Sequence, residues 1–161
     1  MDSIAFDIID ADVDDDSAVP RRLGLRILIN GRPLIDMVRE FERPMAMREG
    51  SPSIAGAYTW LAYGGATSEP SQHFYRPPTK QGENHDDRIS VLACGDCGLS
   101  GCWPLVCRIE VREDRVVWRD FANPHRGPNR MAGEWSYVGF GPYEFERQAY
   151  EHALKSLIAE D

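Results

Sequence analysis

The sequence predicts an α+β fold: an antiparallel sheet of at least four strands, with a meander in the second half, and two main helices. Two patterns support this prediction. Apolar and polar residues alternate in several short segments, as in half-buried strands, and apolar residues recur at helical spacing in two longer segments. Because 161 residues make one ordinary domain, we expect residues 1–161 to form a single domain.

The first half of the chain supplies two predicted strands and the first predicted helix. Residues 4–8 and 23–29 alternate in hydrophobicity, and the second segment ends at the turn pair Asn30-Gly31. Pro33 suits the first turn of a helix, where its missing N–H costs nothing. The apolar face of a helix over residues 34–41 is formed by Leu34, Ile35, Val38 and Phe41. Glu42 is expected on the polar face, and Pro44 is expected to end the helix.

The second half predicts the meander and the second helix. We expect strands at residues 89–94, 103–111 and 116–118, a short fourth strand at 134–140, and a helix at 145–158. A helix that covers one face of a sheet is typical of α+β folds. The expected core includes Leu105, Ile109, Val111, Trp118, Leu154 and Leu157.

The charge is strongly acidic, at −8 from 26 acidic and 18 basic side chains. A negative surface repels phosphate backbones and anionic lipid, which disfavours nucleic-acid and membrane partners. Much of the excess lies in Asp10, Asp12, Asp14, Asp15 and Asp16, and we call the last four of these the Asp run. The Asp run suits a basic protein partner, although acidity alone also serves solubility.

The N-terminus predicts a cytoplasmic protein. The segment MDSIAFDIID carries acidic residues where a secretory signal has a basic region followed by an apolar run. No apolar stretch approaches the ~20 residues that span a bilayer. Cytoplasmic thiols stay reduced, so clustered cysteines there favour free thiols or metal ligands over disulfides.

Four cysteines form the most specific local pattern: Cys94, Cys97, Cys102 and Cys107, spaced C-x2-C-x4-C-x4-C. Four thiolates suit tetrahedral zinc. These fourteen residues resemble a CCHC zinc knuckle in which Cys102 replaces the histidine, and His125 is an alternative ligand. The segment contains no Lys or Arg for nucleic acid, and Cys107 falls on an apolar strand face. We therefore favour a metal-free hairpin with no cofactor, and zinc is the alternative.

Asp120, His125 and Arg126 are the candidate catalytic residues, as an acid, a base and an anion clamp. The competing interpretation is a structural turn, because Asn123-Pro124 is turn chemistry and Asp120 can form an ion pair with Arg126. We favour the turn, since no nucleophile–base spacing is recognisable.

Several short motifs resemble a group of small stand-alone bacterial proteins. They are Asn30-Gly-Arg-Pro-Leu34, Gly101-Cys-Trp-Pro-Leu105, Asp120-Phe with Pro124-His-Arg126, and Gly141-Pro142. The resemblance covers most of the chain from Leu23 onward. It implies a stand-alone bacterial domain and no particular activity.

Three functions follow from these patterns. The favoured one is a non-catalytic protein-binding module, for example an immunity or inhibitor protein that acts on a basic partner. The second is a zinc-stabilised domain that contacts nucleic acid through the loop between Cys94 and Cys107. The third is a small enzyme that uses Asp120, His125 and Arg126.

Overall fold

The fold is known from a computed structural model that describes residues 1–10, 23–62, 73–75, 88–95, 103–126 and 135–158. The elements, in chain order, are β1 (Ile4–Asp10), β2 (Leu23–Ile29), β3 (Arg32–Pro33), α1 (Leu34–Arg48), β4 (Tyr58–Thr59), β5 (Leu61–Ala62), β6 (Ile89–Cys94), β7 (Leu105–Val111), β8 (Arg115–Ala122), β9 (Tyr143–Glu146) and α2 (Arg147–Ile158). Short 3-10 turns cover Pro52–Ile54 and Pro124–Arg126. The described strands form two antiparallel sheets and flank two helices, which confirms the predicted α+β class.

The first sheet has four strands in the described part of the chain. β1, β2 and β3 are adjacent in that order, and β5 also pairs with β2. The predicted alternation of β2 is confirmed, because Leu25, Ile27 and Ile29 are all buried. After β2 the chain turns at Asn30 and Gly31, whose φ values of 54° and 79° lie in the left-handed region that hairpin turns require.

The second sheet contains the predicted meander. Its order is β4-β6-β7-β8-β9, so β6 to β9 are neighbours both in sequence and in space. The strand predicted at 134–140 is wrong, since residues 135–140 form turns and irregular backbone and β9 begins only at Tyr143. Val116 of β8 instead pairs with Phe145 of β9. The second helix consequently begins at Arg147 and not at residue 145.

Helix α1 continues beyond Pro44, where the sequence predicted its end. A proline inside a helix removes one i→i−4 hydrogen bond, but it does not by itself end the helix. The residues that follow have a reason to remain helical, because Met45 and Ala46 are buried. Pro33 is extended and immediately precedes the helix, instead of lying in its first turn. Burial of the last turn therefore outweighs the local signal of Pro44.

One hydrophobic core includes residues of both sheets and both helices. Five of the six predicted core residues are buried: Leu105, Ile109, Trp118, Leu154 and Leu157. Val111 is half-buried near the end of β7. The centre is aromatic, with the Trp118 and Phe74 rings stacked at 5.9 Å. Trp118 Nε1 donates a hydrogen bond of 3.1 Å to the Tyr150 hydroxyl, which satisfies its buried N–H.

Candidate functional site

A cleft of about 1020 Å³ runs along β8, and we refer to it as the β8 cleft. One side consists of residues of β8 and of the turn that follows it. The other side is the segment from Trp135 to Pro142, which we call the cleft wall. Val138 of this wall is 90% exposed, whereas Trp135 and Phe140 are buried. The cleft therefore combines an irregular, partly apolar wall with a regular strand.

The cleft wall is attached to helix α1 at three positions. Trp135 Nε1 donates a hydrogen bond of 2.8 Å to Glu49 Oε1 near the end of the helix. The Tyr137 ring stacks on Phe41 at 5.9 Å, and the Phe140 ring lies 5.3 Å from the same ring. The half-buried position of Phe41 is explained by these contacts. The wall is thus held by side chains of α1 although it contains no regular secondary structure.

A buried carboxylate provides the strongest attachment. Glu42 is 0% exposed, and its Oε2 accepts hydrogen bonds from the hydroxyls of both Tyr58 and Tyr137. Glu42 Oε1 accepts a hydrogen bond of 2.9 Å from the Gly56 N–H, and Asn123 Nδ2 donates to the Tyr58 hydroxyl at 3.1 Å. Buried polar groups persist when such a network satisfies them. We refer to these groups as the Glu42 network.

Burial has the largest effect on the pKa values of the titratable groups in the Glu42 network. It raises the pKa of Glu42 above the ordinary value, although the three hydrogen-bond donors act in the opposite direction. Burial also raises the pKa of Tyr58 and of Tyr137, and the negative charge of Glu42 adds to this effect. Both tyrosines therefore remain protonated donors at neutral pH.

Arg126, one of the residues that line the β8 cleft, is packed against aromatic rings. The Arg126 guanidinium lies 4.7 Å from the centre of the Trp103 ring and 5.6 Å from that of Trp135. His125 stacks on the Trp103 ring at 5.8 Å. Arg126 Nε also lies 3.2 Å from Glu49 Oε1. Cation–π contacts and this ion pair hold Arg126 between the cleft wall and the end of β8.

The three candidate catalytic residues have separate structural partners. Asp120 accepts hydrogen bonds from Arg108 and Arg119, at 2.9 and 2.8 Å. The ion pair predicted between Asp120 and Arg126 is replaced by these contacts, because Arg126 instead faces Glu49. The backbone N–H of His125 donates a hydrogen bond of 2.9 Å to Asn123 Oδ1, as expected for a structural turn.

Charged side chains cover part of the solvent-facing side of β7 and β8. Glu110 accepts hydrogen bonds from Arg112 and Arg119. Arg115 pairs with Glu144 of β9 at 3.1 Å. These side chains are half-exposed, so each ion pair contributes little to stability. Arg112, Arg119 and Glu144 of this group also line the β8 cleft.

The structure separates Cys107 from Cys94. Cys107 pairs across the sheet with Ile89, and Cys94 lies five residues further along β6. At ~3.3 Å per residue this is roughly 17 Å, whereas two thiolates on one zinc ion lie within about 5 Å of each other. Cys107 therefore does not share an ion with Cys94, which corrects that part of the predicted four-cysteine site.

The rest of the cysteine prediction lies partly outside the described residues. Cys97 and Cys102 fall at positions that the structure does not describe, so zinc bound by Cys94, Cys97 and Cys102, with His125 as alternative ligand, stays a prediction. Within the described part of the chain, no group of three or more His, Cys, Asp or Glu side chains is placed to hold a metal ion. Burial raises the pKa of the Cys107 thiol far above its ordinary value.

Sequence reasoning missed the residues that shape the β8 cleft. Glu42 was assigned to the polar face of α1, and the structure buries it completely. A signal for this was present, because Ile35, Val38, Glu42 and Met45 follow one another at helical spacing on the buried face. The partners of Glu42 could not be found in this way, since Tyr58 and Tyr137 are 16 and 95 residues away in sequence. The Asp run lies outside the described residues.

Comparisons with protein-family models, curated proteins and solved structures gave no match to this chain. Neither helix in the described residues is long and apolar enough to cross a membrane. The geometry of the β8 cleft is therefore the main basis for a functional proposal.

Proposed function

We propose that this protein is a non-catalytic protein-binding module whose contact surface is the β8 cleft. The observation that carries the proposal is the lining of the cleft, which combines the exposed Val138 and the half-buried Tyr137 with arginines, next to the buried rings of Trp135 and Phe140. Tyrosine and arginine are among the residues most enriched at the energetic centres of protein interfaces. Val138 adds an apolar side chain on the cleft wall that is almost fully exposed to solvent.

The contacts of the candidate catalytic residues favour binding over catalysis. General acid–base chemistry needs groups within hydrogen-bond reach of one reacting centre. Asp120 is engaged by two arginines, Arg126 by Glu49 and two tryptophan rings, and His125 by the Trp103 ring. Asp120 thus has partners on β7 and β8, and His125 and Arg126 have partners around the turn that follows β8, which supports a structural role for the three residues.

The charge of the chain bears on the kind of partner. A net charge of −8 opposes binding along a nucleic-acid backbone, which makes the zinc-stabilised nucleic-acid domain the less favoured alternative. A protein partner fits better, and the Asp run would accelerate its encounter if that partner is basic. An immunity or inhibitor protein is one form that such a module takes.

Capture from an extract of the native host tests the proposal. Immobilised wild-type protein is compared with Val138→Asp, which places a charge on the cleft wall. Met47→Asp is the matched control, because Met47 is also an exposed apolar side chain, at 60%, but lies on α1 outside the cleft lining. We expect a protein retained by wild type and by Met47→Asp and lost with Val138→Asp. Equal retention by all three proteins would contradict the β8 cleft as the binding surface.

A further inference from the structure

The β8 cleft differs in charge from the rest of the protein. Its lining contains four arginines (Arg88, Arg112, Arg119 and Arg126) and two carboxylates (Asp120 and Glu144), a balance of +2 in a chain of −8. Arg126 is already engaged by Glu49. Arg112 and Arg119 are paired with Glu110 and Asp120. Arg88 is the remaining arginine of the lining.

Arg88 is the most informative of these residues. Its Nε is buried and has no hydrogen-bond partner in the described part of the chain. The same holds for Trp103 Nε1 and for Arg126 Nε, but Arg126 Nε lies 3.2 Å from the Glu49 carboxylate. Buried donors without an acceptor are rare in folded proteins, so each one calls for an explanation. Arg88 immediately precedes β6, and its side chain contributes to the lining of the cleft. The positive charge of Arg88 is therefore close to the cleft, and an anionic group in the cleft would offset it.

Two further arginines of the lining use only some of their N–H donors in ion pairs. Arg112 binds Glu110 through Nε and Nη2, and Arg119 uses Nε and Nη1 for Glu110 and Asp120. A guanidinium carries five N–H donors in a planar fork that matches a carboxylate, so each side chain can bind a further oxygen. Their ion pairs also hold the two guanidinium groups in place before a ligand arrives.

We propose that the β8 cleft binds an acidic peptide segment of the partner protein, with a carboxylate placed against Arg88 and Arg119. This inference rests on the proposed protein-binding function and adds the chemistry of the partner. The exposed Val138 and the half-buried Tyr137 of the cleft wall suit the apolar side chains that flank a carboxylate in a peptide. A volume of about 1020 Å³ is at the upper end of the range for small-ligand pockets, which favours a peptide segment over a single small anion. The Asp run is a separate feature of the chain and makes no contribution to this argument.

Selection from a phage-displayed library of random dodecapeptides tests the inference without assuming a ligand sequence. The targets are wild type, Arg88→Gln, Arg88→Lys and the control Arg32→Gln. Arg32 is an exposed arginine of β3 that pairs with Glu40 of helix α1 at 2.8 Å. Circular dichroism first establishes that each variant is folded.

We expect peptides selected on wild type and on Arg32→Gln to be enriched in Asp and Glu. The best of these peptides should bind Arg88→Gln about tenfold more weakly or worse, because a hydrogen bond to a charged group is lost. Arg88→Lys keeps the charge without the planar fork, so it should bind with intermediate affinity. Affinity should also fall as the salt concentration rises.

The inference is overturned if wild type selects no acidic enrichment, or if the selected peptides bind Arg88→Gln as tightly as wild type. The two proposals fail separately. A host protein lost with Val138→Asp but retained by Arg88→Gln at all salt concentrations would preserve the binding module and refute the acidic segment. Acidic peptides that bind through Arg88, together with host capture that is indifferent to Val138→Asp, would preserve the site for acidic segments and refute the cleft wall as the surface that holds the host protein.

Discussion

The Glu42 network allows a prediction with a defined magnitude. In Glu42→Leu, the Tyr58 hydroxyl, the Tyr137 hydroxyl and the Gly56 N–H lose their common acceptor. Each buried group left unsatisfied costs about 1–3 kcal/mol. The two hydroxyls can partly compensate by bonding to each other, and Asn123 remains bonded to Tyr58. We therefore expect a loss of about 3–5 kcal/mol in the free energy of unfolding, toward the low end of the simple sum.

Glu42→Gln tests the titration of the same group. The pKa of Glu42 is raised in the folded protein above the ordinary value of 4.5, so its contribution to stability is present below pH 4.5 and is lost as the pH rises through the raised pKa. Glutamine does not titrate. The unfolding free energy of wild type minus that of Glu42→Gln should therefore be largest below pH 4.5 and decrease at higher pH.

Urea unfolding followed by circular dichroism at a series of pH values measures both effects. Glu40→Gln is the control, because Glu40 lies on the same helix but is exposed and paired with Arg32. Its cost should stay within about 0.5 kcal/mol. A loss below ~0.5 kcal/mol for Glu42→Leu, or a difference between wild type and Glu42→Gln that does not change with pH, would refute the buried network.

Three further predictions concern the core, the cysteines and the Asp run. Leu154→Ala should lower the free energy of unfolding by about 2–5 kcal/mol, since Leu154 is 2% exposed and its truncation leaves a cavity. Lys155→Ala, at the exposed neighbouring position, should change the free energy of unfolding little, and equal values for the two variants would contradict this prediction. The Cys107 thiol should react with a thiol reagent only after denaturation, because it is fully buried and its pKa is raised. If zinc is bound, Cys97→Ser should lower both the metal content and the melting temperature. One dialysis-resistant zinc ion per chain would overturn the favoured metal-free hairpin. Neutralising the Asp run should slow association with a basic partner and reduce its salt dependence without changing the fold, and an unchanged association rate in stopped-flow measurements would count against it.

Local periodicity predicted those parts of the fold whose residues interact with near neighbours. The alternation of β2 and the helical spacing of Leu154 and Leu157 are both confirmed by burial. The helix and strand boundaries that were predicted wrongly depend on contacts between residues that are distant in sequence. Helix α1 passes Pro44 because Met45 and Ala46 are buried, and β9 begins at Tyr143 because its partner strand is β8.

The candidate site was predictable only in part for the same physical reason. The turn around Asn123 was predicted from the Asn-Pro pair, and the backbone N–H of His125 donates a hydrogen bond to the Asn123 side chain. A charged residue such as Glu42 is normally exposed, and only its distant tyrosine partners make its burial tolerable.

By itself, the sequence determined the α+β class, the meander, most of the predicted core and the acidic charge of this protein, because each depends on composition or on spacing within one segment. Only the tertiary structure decided which residues form the β8 cleft, that the cleft is basic, and that Cys107 lies far from Cys94. These properties depend on strand register and on contacts between segments up to 95 residues apart, such as that between Glu42 and Tyr137. Such contacts leave no periodic trace in a single sequence.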